Sequence, residues 1–121
     1  MTDDGETFKN RLAELTRLYV DGLPAKAAKI DALAAAGGEN PAAGDARAKI
    51  AELTEIVHQL SGSGGTFGAP RVSVAAAAVE AACNAVLAVD RPATPDEWER
   101  VAELVNALGA VIDDAVAGTT P

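Results

Sequence analysis

A chain of 121 residues with 49% hydrophobic but only 3% aromatic content can bury one core, and its excess of Ala, Val and Leu favours closely packed helices over sheet. Eighteen acidic residues against ten basic ones give a formal charge of −8, which repels phosphate backbones and anionic lipid and sets aside nucleic acid and membrane as partners. Cys83 is the lone cysteine, so no internal disulfide is available and the residue reads as a small buried one.

The opening residues, Met1-Thr2-Asp3-Asp4-Gly5-Glu6, are acidic where a secretory signal is basic. The most apolar stretch, residues 72–89, is interrupted by Ser73, Glu80 and Asn84 and reads as too broken to span a bilayer. A soluble cytoplasmic protein is expected. Over residues 3–20, Phe8, Leu12, Leu15 and Tyr19 recur at helical spacing between charged residues, the pattern of an amphipathic helix. Asp21-Gly22-Leu23-Pro24 is expected to kink or briefly break it, because proline lacks an amide donor and disfavours α geometry in the residue before it. Helical pattern resumes at Ala27, Ile30, Leu33 and Ala34 and stops at Gly37-Gly38, giving N-terminal helices within 4–36 and a loop over 37–44.

Asp45 is the expected cap of a helix over 45–66, with an apolar stripe of Ile50, Leu53, Val57, Leu60 and Gly64 that Phe67 extends. Gly68 and Pro70 mark the next turn. Residues 70–88 are apolar nearly all round, as in a helix packed on several sides. Thr94 before Pro95, with Glu97 three residues on, predicts a capping box opening a last helix over 95–117, after which 119–121 should fray. The fold expected is all-α: one domain over 1–121, an antiparallel four-helix bundle whose first helix is kinked or split near Gly22 and Pro24.

His58 is the only histidine. At about 100° per residue it lies roughly 120° from the centre of its helix's apolar stripe, so its ring should be exposed or at the rim. Ser61, Gly62 and Gly65 follow three, four and seven residues later, on the same face if the helix continues. Each helical glycine costs roughly 0.5–1 kcal/mol relative to alanine, and close approach by another molecule is one reason to keep them. A helix end or a close contact with a neighbouring helix is the alternative reading of Gly62, Gly64 and Gly65 and suits Gly65 and Gly68 best, while for Gly62 partner access is favoured. Glu55 and Gln59 flank the histidine and would either contact a partner or serve as solvated surface. Ser61 and Ser63 have no second base nearby and read as solvated or bonded to local carbonyls, not as catalytic. Trp98 reads as a core or staple contact. One histidine without a cysteine pair makes no typical zinc site, and no phosphate-binding loop or kinase nucleotide motif is present.

The spacing of His58, Leu60, Gly62, Ser63, Gly64, Gly68 and Ala69 resembles the signature of histidine-containing phosphotransfer (HPt) domains, and Ala69 to Glu80 is similar to the family's next helix. The resemblance implies a monomeric carrier whose histidine, here His58, takes a phosphoryl group from one receiver-domain aspartate and passes it to another. A hybrid histidine kinase is a further partner in that scheme. It implies no cofactor and no autokinase activity in this chain, with Mg2+ and the carboxylate cluster belonging to the receiver. A neutral imidazole can carry such a group on nitrogen, and phosphoryl transfer is largely positioning and charge neutralisation, which a partner can supply. The family's usual lysine three residues after the histidine is replaced by Ser61. Two other readings stand beside this one: a bundle that binds a receiver or kinase without relaying phosphate, and a helical adaptor with an incidental histidine, which expects His58 buried or ion-paired.

Overall fold

This computed structural model describes residues 3–40 and 44–118. Four helices follow one another, α1 (Asp3–Glu39), α2 (Ala46–Ser63), α3 (Pro70–Leu87) and α4 (Pro95–Ala117), with no strand among the described residues. Each helix packs on its two neighbours in the cyclic order α1, α2, α3, α4. Lys29 pairs with Glu52 at one level of α1 and α2, and Tyr19 meets Ser63 at another, so these helices are antiparallel. The same logic applies to α2 and α3, where His58 meets Glu80 and Ser61 meets Ser73.

The stripes read from the sequence meet in one core. Ile50, Leu53, Val57 and Leu60 of α2 are buried in one cluster with Val72, Val79 and Cys83 of α3 and Val101, Leu108 and Ile112 of α4. Each large side chain so enclosed contributes about 1.5–3 kcal/mol of hydrophobic stabilisation. No polar or charged side chain is buried among the described residues. By length and composition α3 is apolar enough to cross a bilayer, more so than its three polar interruptions suggest, but it turns Val72, Ala76, Val79, Cys83 and Val86 into the bundle.

The expected break near Pro24 is absent, and α1 is helical throughout. Leu23 and Ile30, on either side of the proline, are fully buried while Pro24 faces solvent. Packing of the two anchors offsets the roughly 3 kcal/mol that an interior proline costs. A second difference concerns the N-terminal stripe, where Phe8 is 68% exposed and Leu12 and Leu15 are also exposed. At 1.5 Å per residue α1 is about 55 Å long against about 27 Å for α2. Because Tyr19 lies level with Ser63 at the end of α2, the helix before it runs past the end of the bundle.

The loop begins at Asn40, after α1 has continued through Gly37 and Gly38 to Glu39. Residues 41–43 of that loop, and the expected fraying of 119–121, lie outside the described residues. Trp98 is buried with its ring over Gly37, where an added Cβ would fall 2.1 Å from the indole Cη2, which accounts for a glycine inside α1. Asp45 occupies the N-cap position of α2 but makes no side-chain cap. Its carboxylate instead accepts from Lys49 Nζ at 2.7 Å, and that bond and charge hold its pKa below the ordinary value. The C-terminal end of α3 is closed by Arg47, whose guanidinium donates to the carbonyls of Leu87, Val89 and Arg91 at 2.7–2.9 Å, a cation at the negative end of a helix. Thr94 and Glu97 form the predicted capping box, and Gly118 ends the described part of the chain in the left-handed region.

Candidate functional site

His58 stands on the outer face of α2 between the buried Val57 and Leu60, and its side chain is 72% exposed. The reason is helical register: a residue following a core position by one is turned by about 100° towards solvent. Its Nδ1 lies 2.6 Å from Glu80 Oε2 on α3. The Glu80 side chain is only 20% exposed. An ionised carboxylate accepts hydrogen bonds and donates none, so in the neutral ring the proton belongs on Nδ1 and the lone pair on Nε2.

Ser61 sits one turn along α2. Its hydroxyl is 3.0 Å from the carbonyl of His58 and 3.3 Å from Glu80 Oε1, so it donates to one or the other. Its own carbonyl accepts from Ser73 Oγ on α3. Ser63 donates to the Gln59 carbonyl at 2.7 Å and lies 3.1 Å from Tyr19 Oη, the local bonding expected of it. Tyr19 in turn stacks on Phe67, ring centroids 5.0 Å apart, so Phe67 closes the end of α2 against α1 and remains only partly buried.

The glycines divide into two kinds. A Cβ added at Gly62 or Gly65 would meet nothing within 4 Å, whereas one at Gly64 would lie 2.8 Å from both Ala69 O and Ser73 N. Gly64 is therefore a packing glycine that lets the backbone of α3 approach, and Gly62 leaves the surface beside the histidine bare. Helix α2 ends at Ser63, short of the expected residue 66. Gly65 thus lies in the turn that follows, and the helical register linking it to His58 does not extend that far. Two glycines in succession weaken the helix, and Gly64 O takes the Ala69 amide at 2.7 Å to start the turn. Gly68, at φ 78°, completes it in a conformation that favours glycine.

Of the residues singled out from the sequence, the fold gathers His58, Ser61 and Gly62 on one surface, with Glu55 and Gln59 exposed beside them on α2. Glu80 is the partner that the sequence reading passed over, taken only as an interruption of an apolar run. The signal was present: a single carboxylate in an otherwise apolar helix has to reach an edge of the bundle. Beneath it Cys83 is buried, and desolvation pushes its thiol pKa up, away from nucleophilic thiolate. The described residues contain no group of three His, Cys, Asp or Glu side chains able to hold a metal ion.

The adaptor reading expected a buried or ion-paired histidine. The ring is paired at Nδ1 but open at Nε2, the nitrogen a nucleophilic role requires. Comparison with known proteins finds no curated protein and no solved structure that matches. Comparison with protein families matches the Hpt domain over residues 14–113, a span that takes in most of α1, all of α2 and α3, and α4 up to its last turn. The chain therefore belongs to the Hpt domain family, the histidine-containing phosphotransfer domains.

Proposed function

We propose that this Hpt domain is the phosphohistidine carrier of a multistep phosphorelay, with His58 as the residue that takes and gives the group. The observation that carries the reading is the exposed His58 ring beside the bare Gly62 surface. A receiver domain has to bring an aspartyl phosphate within bonding distance of a ring nitrogen, and a side chain at position 62 would stand in its way. The Nε2 lone pair attacks phosphorus, the P–O bond to the receiver aspartate breaks, and its electron pair returns to the carboxylate. The reverse step delivers the group to a second receiver.

Charge on the moving phosphoryl group has to be met by the receiver, whose Mg2+ and carboxylate cluster complete the site. In this reading a docked receiver also contacts Gln59, Glu55 and Gly65. In this reading the chain acts as a cytoplasmic monomer, carries no cofactor and has no autokinase activity. A second reading, a bundle that binds a receiver or kinase without relaying phosphate, is favoured by one observation, Ser61 in place of the family's lysine.

The test mixes the protein with a receiver phosphorylated on its aspartate and follows acid-labile label. The expected result is label on the wild type and none on His58→Gln. Label persisting on His58→Gln refutes the assignment. A stable receiver complex whose affinity is indifferent to residue 58, with no label on either protein, establishes the binder instead.

A further inference from the structure

Large apolar side chains left in solvent are not scattered over this molecule. Seven are exposed among the described residues, and six of them, Phe8, Leu12, Leu15, Leu18, Val74 and Val116, lie towards one end. Three contacts define that end. Tyr19 of α1 meets Ser63 at the end of α2, Arg71 at the start of α3 pairs with Asp114 near the end of α4, and Gly37 lies against Trp98 at the opposite end. Helix α1 alone continues beyond it. The stripe of Phe8, Leu12 and Leu15 is the one that buries Leu23 and Ile30 further along the helix, so the overhang turns an apolar face towards space that its own bundle does not fill.

We infer that a second copy of this chain fills that space: two bundles stand end to end, and the α1 overhang of each lies antiparallel along α3 of the other. The receiving face is apolar too. Val74 is 72% exposed, beside a groove of about 330 Å³ that it lines with Pro70, Arg71, Ala75 and Val111. Beyond it Ala77, Ala78, Ala81 and Ala85 are turned to solvent, leaving room for the large side chains of an approaching helix. The overhang carries Glu6, Lys9, Arg11 and Glu14, and these alanines oppose no charge of either sign to it.

Symmetry and area select this occupant. Helices α1 and α3 stand at opposite corners of the bundle and make no contact. A two-fold axis between the abutting ends therefore brings each overhang onto the other chain's α3, which uses up both surfaces and closes the pair. Residues 3–18 of the overhang are about 24 Å long, and the 18 residues of α3 about 27 Å, so one fits along the other. A helix face of that length and about 10 Å width gives roughly 500 Å² for one contact and about 1,000 Å² for the reciprocal pair, the lower limit for specific association. In this register Leu15 is level with Val74 of the second copy and Phe8 with its Ala81. In the carrier reading transfer at His58 is complete within one chain, so the monomer that a receiver meets exchanges with this pair as concentration changes.

Sedimentation equilibrium of the full 12.2 kDa chain, from about 1 μM to about 1 mM, reads the association. A monomer passing to a dimer over this range is expected, with a tighter dimer at high salt because screening relieves repulsion between two chains of charge −8. Leu12→Asp and Val74→Asp should each weaken it about a hundredfold, tenfold at each of two contacts. Neither residue belongs to the buried core, so the unfolding midpoints should not fall. Oxidation of a mixture of Leu15→Cys and Val74→Cys chains should cross-link one variant to the other, and neither to itself. A wild type that stays monomeric to about 1 mM overturns the inference, as does a dimer indifferent to both aspartates. Cross-linking of Leu15→Cys to itself but not to Val74→Cys also overturns it, by pairing overhang with overhang. The readout is mass, so a monomeric chain still labelled on His58 keeps the carrier reading, and a dimer that takes no label loses that reading alone.

Discussion

Gly62 and Gly64 stand two residues apart, both in right-handed helical backbone, yet alanine at each should change stability in opposite directions. Alanine relieves the backbone cost of a helical glycine, a gain of up to about 1 kcal/mol at either position. At Gly62 nothing opposes it, because the new methyl meets no atom within 4 Å. At Gly64 the same methyl falls 2.8 Å from Ala69 O and Ser73 N and 3.0 Å from Ser73 Cβ. Two of these are backbone atoms that can move only if the first turn of α3 moves. That shift would strain the 2.7 Å bond from the Ala69 amide to Gly64 O and the bond from Ser73 to Ser61. Overpacking of this kind costs about 1–3 kcal/mol, with the lost hydrogen-bond geometry additional. Gly64→Ala should therefore destabilise by about 1–2 kcal/mol net, and Gly62→Ala should stabilise by about 0.5–1 kcal/mol. In a domain of this size those values correspond to melting shifts of roughly −3 to −8 °C and +2 to +4 °C. Urea and thermal unfolding followed by circular dichroism read both. A Gly64→Ala protein as stable as the wild type would mean that α2 and α3 do not approach as described; a destabilised Gly62→Ala would mean that the surface beside His58 is not open.

Two further outcomes test the bundle's ends. Glu97 accepts from Arg91 and from the Thr94 amide, and these bonds bring its pKa down from 4.5 to about 2. A carboxyl whose folded pKa is depressed adds stability that is complete above its unfolded value and is lost as pH falls through the folded one. Between pH of about 4.5 and about 2 the wild type should thus lose stability faster than Glu97→Gln; urea midpoints that fall in parallel for the two proteins count against the cap. Arg47→Met keeps the apolar stem but withdraws the guanidinium from the carbonyls of Leu87, Val89 and Arg91, which should cost about 1–2 kcal/mol. Hydrogen exchange should quicken first at the end of α3, and unchanged exchange there would show that water serves those carbonyls equally well.

The stripe Ile50, Leu53, Val57, Leu60 was legible because burial on one face imposes a helical period, and the exposure of His58 followed from the same geometry. The capping box at Thr94 was legible because it is local, needing only three neighbouring residues. What escaped depends on lengths and distances that no local pattern records. Pro24 reads as a break, yet the anchors Leu23 and Ile30 on the inner face carry the helix through it. Phe8, Leu12 and Leu15 have the spacing of core residues, but whether any helix reaches them depends on where α2 and α4 stop. Asp45 looks like a cap, and its carboxylate goes to Lys49, one turn along the same helix. Glu80 was the costliest omission, since its partner lies 22 residues away and only the antiparallel packing of α2 and α3 brings them together.

Helix α2 also separates stability from chemistry. Its inner face consists of fully enclosed apolar side chains, and no polar or charged residue is buried among the described residues. His58, Ser61 and Gly62 lie outside that core, so a change at any of them leaves the hydrophobic contacts untouched. Surface substitutions away from the core usually alter stability by less than about 0.5 kcal/mol, which makes this surface free to vary in charge. A serine can therefore stand where the family has a lysine without disturbing the bundle. The exchange alters the field around the imidazole: a cation that would face the phosphoryl group is gone, and a hydroxyl within reach of Glu80 takes its place. In the proposed carrier role, the charge that a lysine would have met falls to the receiver.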